Sequence, residues 1–214
     1  MTAEHLSRSR LYAILDLGYA EPHRAKDVAQ ELVASGVDLL QLRAKNYLAG
    51  EIEKLGRELR EITQRHGVPL IINDHAEIAR DLGAEGLHLG QDDMSIAHAR
   101  QIVGAGCAIG KSTHSIGQAI RAFYEGADYI GFGPVFATPT KPDYPPIGLT
   151  EIEKVHEAVR IPIFCIGGIK LDNLPEVIEA GARRVVIVSA LLQAPDLPAY
   201  ARAVKDLLNR KSKI

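Results

Sequence analysis

The chain has 214 residues, 46 % hydrophobic and 24 % charged, so it can bury a sizeable core and falls outside the disordered class. A net charge of −2 lacks the basic excess of a nucleic-acid footprint, so no nucleic-acid partner is expected. Two cysteines, Cys107 and Cys165, are too few for a disulfide framework and read as small buried hydrophobes in a reducing, cytoplasmic protein.

In chain order, the opening MTAEHLSRSR has no apolar secretory core, so no signal segment is expected. Apolar runs then recur: LYAILD (11–16), DLLQLRA (38–44), LIIND (70–74), GLHLG (86–90), CAIGKST (107–113), YIGFGPV (129–135), IPIFCIG (161–167) and RVVIVSA (184–190). None approaches the roughly 18 residues of a membrane span, so no membrane partner is expected. Near-continuous hydrophobicity suits parallel strands covered on both faces. Between the runs lie amphipathic stretches at 25–35, 51–66, 75–82 and 95–103, then IGQAIRAFYEG, TEIEKVHEAV, NLPEVIEAG and a last helix at about 196–210. Gly36, Gly83, Gly126 and Gly181 follow helices directly, as helix ends prefer.

Eight strands alternating with eight helices predict an α/β chain: one (β/α)8 TIM barrel over 1–214, with strands from about 11 to 190. An open doubly wound sheet would carry a G-x-G-x-x-G turn after its first strand, and LDLGYAEP has none. In a barrel the strand C-termini build the active site, so polar residues there are the candidates.

Alternation after 40 puts Gln41, Arg43 and Lys45 on one side and Leu42 and Ala44 on the other. Two cations and an amide converging on a barrel mouth imply an anionic ligand, or else salt bridges to barrel carboxylates. Asp74 and Asp93, at adjacent strand mouths with oxygen-rich neighbours, resemble a Mg²⁺ site; helix capping is the alternative, and it accounts for Asp92 or Asp93. Ser112 either caps a helix or donates to a phosphate, while His114, near a helix start, reads as structural. Gly168 after strand seven and Ser189 after strand eight sit where backbone amides commonly cradle a phosphate. With Lys141 from the loop after strand six, Arg43, Lys45 and a metal would suit a diphosphate, and the Gly168–Ser189 side a monophosphate. Two phosphorylated ligands across one mouth suggest a transfer reaction with a diphosphate leaving group.

QLRAK (41–45), ND (73–74), GLHLGQDD (86–93), KSTHS (111–115), GADYIGFGPVFATPTK (126–141), CIGGI (165–169) and VSA (188–190) together resemble the thiamine-phosphate synthase, or thiamine-phosphate pyrophosphorylase, family. That resemblance spans almost the whole chain. It implies a TIM barrel joining a pyrimidine diphosphate to a thiazole phosphate, with Mg²⁺ required and pyrophosphate released. Carried over by motif, Gln41, Leu42, Arg43, Ala44, Lys45, Asn73, Ser112 and Lys141 bind the pyrimidine diphosphate, and Arg43, Lys45, Ser112 and Lys141 assist catalysis. Thr138, Pro139, Thr140, Gly168, Val188 and Ser189 bind the thiazole phosphate; Asp74 and Asp93 hold Mg²⁺. The implied mechanism is dissociative: a pyrimidine-methyl cation forms and the thiazole nitrogen captures it.

In FGPVFATPTKPDYPPIG (132–148) the prolines stiffen the loop. Thr138 and Thr140, two apart in an extended segment, would face the thiazole phosphate and Lys141 the pyrophosphate. The related thiazole tautomerase typically carries a His after the strand-six glycine, where this chain has Pro134. A silent barrel that only binds thiazole phosphate is the other alternative.

Overall fold

The computed structural model describes residues 1–138 and 144–210. The run at 11–16 forms strand β1 (Leu11–Asp16) at its expected bounds. The others are shorter than their apolar runs: β2 (Leu39–Arg43), β3 (Leu70–Asn73), β4 (Gly86–Leu89), β5 (Ala108–Thr113), β6 (Tyr129–Phe132), β7 (Ile163–Cys165) and β8 (Val185–Ile187). Most of the trimmed residues after the strands belong to βα turns, while Asp38, Cys107, Ile161, Pro162 and Arg184 are trimmed before them. All eight strands pair in parallel, in sequence order, and β8 closes onto β1.

Among the described residues, ten α-helices accompany them: α1 (Ala3–Arg8), α2 (Ala25–Ala34), α3 (Ala49–His66), α4 (Ala76–Leu82), α5 (Ile96–Val103), α6 (Ile116–Tyr124), α7 (Thr150–Ala158), α8 (Leu174–Glu179), α9 (Ser189–Leu192) and α10 (Leu197–Arg210). The expected eight omit α1 and the one-turn α9. Thr2 caps α1, its hydroxyl accepting the His5 N–H at 3.1 Å, and Leu6 packs into the barrel interior. Helix α1 therefore plugs the N-terminal end. No helix of the described residues is long and apolar enough to cross a membrane.

Outward-facing strand residues such as Leu15, Leu42 and Ile72 join the helices in one large core. The interior holds a second cluster around Tyr12, Tyr129 and Phe164, whose rings meet edge to face at 5.4–6.1 Å. Tyr129 fits only because its neighbour is Gly110, where a Cβ would stand 2.1 Å from the Tyr129 ring. Replacing Phe164 by Ala in so dense a layer would cost about 3–5 kcal/mol. Above this layer the interior turns polar, which is where the site begins.

Below it, three acids stand directly before even-numbered strands. Asp38 accepts the Leu11 N–H at 2.9 Å and pairs with Lys205 of α10. Glu85 accepts the Leu70 N–H at 2.9 Å and pairs with Arg60 of α3; Asp128 accepts the Ile109 N–H at 2.7 Å and pairs with Arg100 of α5. Each acid ties an odd-numbered strand to a helix of the outer ring.

Candidate active site

Above the aromatic layer, a cavity of about 540 Å³ opens at the strand C-termini. Gln41, Arg43, Lys45, Asn73, Asp74, Asp93 and Ser112 line it on one side, and Thr138, Gly168, Val188 and Ser189 on the other. Leu42 and Ala44 do not line it; their side chains lie in the core toward the helices, as strand alternation requires. Pro139, Thr140 and Lys141 lie outside the described residues.

Arg43 and Lys45 both have carboxylate partners, so the salt-bridge alternative is realised for these two. Asp16, the last residue of β1 and register partner of Arg43, is 2 % exposed and binds the Arg43 guanidinium at 2.5 Å. Asp16 also accepts the Gly18 N–H at 2.9 Å. Lys45 pairs with Asp74. One carboxylate leaves most of a guanidinium's five donors open, so pairing orients Arg43 without removing it from an anion's reach.

Asp74 adopts a left-handed backbone, φ 65°, which turns its carboxyl toward Asp93. The two carboxyl groups share a hydrogen bond. Burial, then the Asp93 carboxylate, raises Asp74 above the usual range despite Lys45. For Asp93 burial pushes upward, but the bond to Asp74, the Gly90 N–H at 2.6 Å and the charges of Lys45 and Lys111 outweigh it and hold the group low. Asp93 is not a helix cap: Ser95 caps α5, accepting the His98 N–H at 3.2 Å, and Asp92 is exposed.

Ser112 is not a cap either, since Ser115 caps α6. Its hydroxyl lies 2.9 Å from His88 Nε2, and His88 Nδ1 lies 3.2 Å from the Tyr129 hydroxyl. Tyr129 in turn meets the Tyr12 hydroxyl at 3.3 Å, and the Gln41 amide donates to Tyr12. An amide N–H can only donate, so Gln41 donates to Tyr12, and the chain of contacts continues through Tyr129 and His88 to Ser112. Burial raises both phenols, Tyr129 well above its usual range, so both stay protonated in this chain. A His88 protonated at Nε2 would leave the Ser112 O–H to donate into the cavity.

Around strands six and seven, Gly133 and Pro134 join through a cis peptide bond, and both line the cavity. His114 Nδ1 donates to the Gly133 carbonyl at 2.5 Å and stacks on Tyr144 at 3.9 Å, which fits its structural reading. Gly168 has φ 65°, and a Cβ there would stand 2.7 Å from Phe136 Cβ and 2.8 Å from the Ala137 carbonyl. It is thus a packing glycine of the mouth as well as a lining one. Asn173 holds its carbonyl, donating at 3.0 Å.

Asp16 and His88 are polar cavity residues that sequence reasoning passed over. For His88 a signal existed: in GLHLG it shares a face with Gly86, so a histidine points into the barrel.

A family model described as thiamine monophosphate synthase matches residues 11–191. Thiamine-phosphate synthase of Chloroflexus aurantiacus is 39 % identical over 210 residues, covering 98 % of this chain and 97 % of its own. Its counterpart in Thermus thermophilus is 44 % identical over 183 residues, covering 85 % and 88 %. A solved structure of thiamine phosphate pyrophosphorylase from Pyrococcus furiosus superposes with a TM-score of 0.87 at 30 % identity, over 96 % of this chain and 98 % of that one. On a match running from the first strand through the turn after the last, the chain belongs to the thiamine-phosphate synthase family, a family of transferases.

Proposed function

We propose that this cavity joins 4-amino-2-methyl-5-(hydroxymethyl)pyrimidine diphosphate to thiazole phosphate, giving thiamine phosphate and pyrophosphate, with CO2 lost as well when the thiazole is carboxylated. The observation that carries the reading is the Asp74–Asp93 carboxyl pair beside Lys45 and Arg43, an array of both charge signs at one barrel mouth. Gln41, Arg43, Lys45, Asn73, Ser112 and Lys141 take the pyrimidine diphosphate, Leu42 and Ala44 contributing backbone only. Thr138, Pro139, Thr140, Gly168, Val188 and Ser189 take the thiazole phosphate.

Asp74 and Asp93 are the Mg²⁺ ligands in this reading. Hard carboxylate oxygens, two in number, fit an ion that fills its remaining positions with water and phosphate oxygens. Among the described residues no group of three His, Cys, Asp or Glu could hold a metal, so the two carboxylates would hold the ion together with substrate and water oxygens. When bound, Mg²⁺ supplies positive charge to the diphosphate oxygens.

The C–O bond to the diphosphate breaks with its electron pair leaving on pyrophosphate, and the thiazole nitrogen's lone pair forms the new C–N bond. No group has to remove a proton, which agrees with buried phenols held protonated and a His88 engaged at both nitrogens. Arg43, held by Asp16, and Lys45 neutralise the leaving group from fixed positions, and Ser112 adds a preorganised donor. Pro134, where the related tautomerase typically carries a histidine, supports the synthase reading. Buried free Cys107 and Cys165 support a cytoplasmic setting.

A structure with thiamine phosphate, pyrophosphate and Mg²⁺ bound tests the assignment. Pyrophosphate should lie on Arg43 and Lys45, and the monophosphate on Gly168 and Ser189. The reverse placement, or Mg²⁺ away from Asp74 and Asp93, would overturn it.

A further inference from the structure

Under the barrel, the acid position breaks in one quarter of the ring. Asp38, Glu85 and Asp128 precede β2, β4 and β6; the same position before β8 is Arg184. The group near it on α7 is a histidine and not an acid: His156 is pushed down to about 4 by burial and by the charges of Arg183 and Arg184. Arg184 Nε and His156 Nε2 are both buried without a hydrogen-bond partner.

Beside Arg184 lies a cavity of about 380 Å³, lined by Ser7, Arg10, Gly181, Arg183, Arg184 and Leu208 among others, and by no carboxylate of the described residues. Two of its three guanidiniums are held in place by backbone. Arg184 Nη2 donates to the Ser7 carbonyl at 2.6 Å, and Arg10 Nη1 to the Leu208 carbonyl at 3.2 Å. Among the described residues none of the three arginines forms an ion pair. Asp38 lies nearby, but it is taken by backbone N–H groups and Lys205.

We propose that this cavity is a second anion site, at the opposite end of the barrel from the active site, binding a phosphate-class oxyanion through Arg10, Arg183 and Arg184. Guanidiniums match phosphate oxygens two donors at a time, and an anion here would satisfy the buried Arg184 Nε and relieve the repulsion among three cations. The cavity is wide enough for inorganic phosphate, pyrophosphate or a phosphate monoester.

Backbone amide spectra of the ¹⁵N-labelled chain, titrated separately with inorganic phosphate and with pyrophosphate, test this. The amides of Ser7, Arg10, Gly181 and Arg184 should shift saturably with one Kd, distinct from that read at Gly168. Arg183→Gln, at an exposed side chain, should raise the lower-end Kd at least about threefold, and Arg184→Gln at least about tenfold, with the Gly168 response unchanged. Whichever anion saturates at the lower concentration identifies a monophosphate or a diphosphate ligand. Lower-end amides that ignore both anions, or a Kd unchanged in the Arg183→Gln variant, would overturn the proposal, and the second outcome decides it even if Arg184→Gln fails to fold.

Discussion

His88 Nε2 lies 2.9 Å from the Ser112 hydroxyl, and through that contact the buried interior of the barrel reaches the substrate cavity. The Gln41 amide anchors the far end by donating to Tyr12. His88→Leu should therefore act through Ser112. Each of His88→Leu and Ser112→Ala is expected to lower kcat about tenfold, and the double variant should be no worse than the worse single one. Steady-state kinetics on folded variants checks this; additive losses would show that His88 does not work through Ser112.

Asp93, through the Mg²⁺ it would hold, and Lys141 directly are assigned to neutralising the leaving group. Asp93→Ala or Lys141→Ala should lower turnover at least about tenfold, and Asp93→Asn should raise the Mg²⁺ concentration for half-maximal rate. Near-normal turnover in both alanine variants would sink the pyrophosphate side of the assignment.

Gly168→Ala places a methyl against Phe136 Cβ and the Ala137 carbonyl at a positive φ. The expected cost is about 1–3 kcal/mol, read as a lowered Tm, with KM for the thiazole phosphate raised because Thr138 follows Ala137 directly. An unchanged Tm would contradict the close approach.

His156 gives a pH signature. Its folded pKa, about 4, lies below its ordinary 6.5, so below pH 6.5 the unfolded chain binds a proton that the folded chain refuses. The stability it contributes is complete above 6.5 and is lost as pH falls toward 4. Since the side chain is only partly buried, the loss is about 1 kcal/mol. Denaturant titrations at pH 7 and 4.5 should show a smaller acid loss in His156→Leu than in the unaltered chain; equal losses would contradict it.

The strands were legible because each is buried on both faces and reads as an unbroken apolar run. Their C-terminal ends were not: the run at 129–135 continues past Phe132 because Val135 packs into the core as loop. Helix α1 escaped notice because it contributes a single core residue, Leu6, too few to make a period. At the site, strand alternation correctly separated Gln41, Arg43 and Lys45 from Leu42 and Ala44. What alternation cannot supply is partnership across strands. Asp16 binds Arg43, and Lys45 binds Asp74, through barrel register, which no single segment encodes.

Synthase activity is read by incubating the protein with the pyrimidine diphosphate, thiazole phosphate and Mg²⁺, and measuring thiamine phosphate and pyrophosphate together. Equimolar formation of the two, dependent on Mg²⁺, is the predicted result. Binding of thiazole phosphate with no pyrophosphate released would contradict it and favour a tautomerase or a carrier.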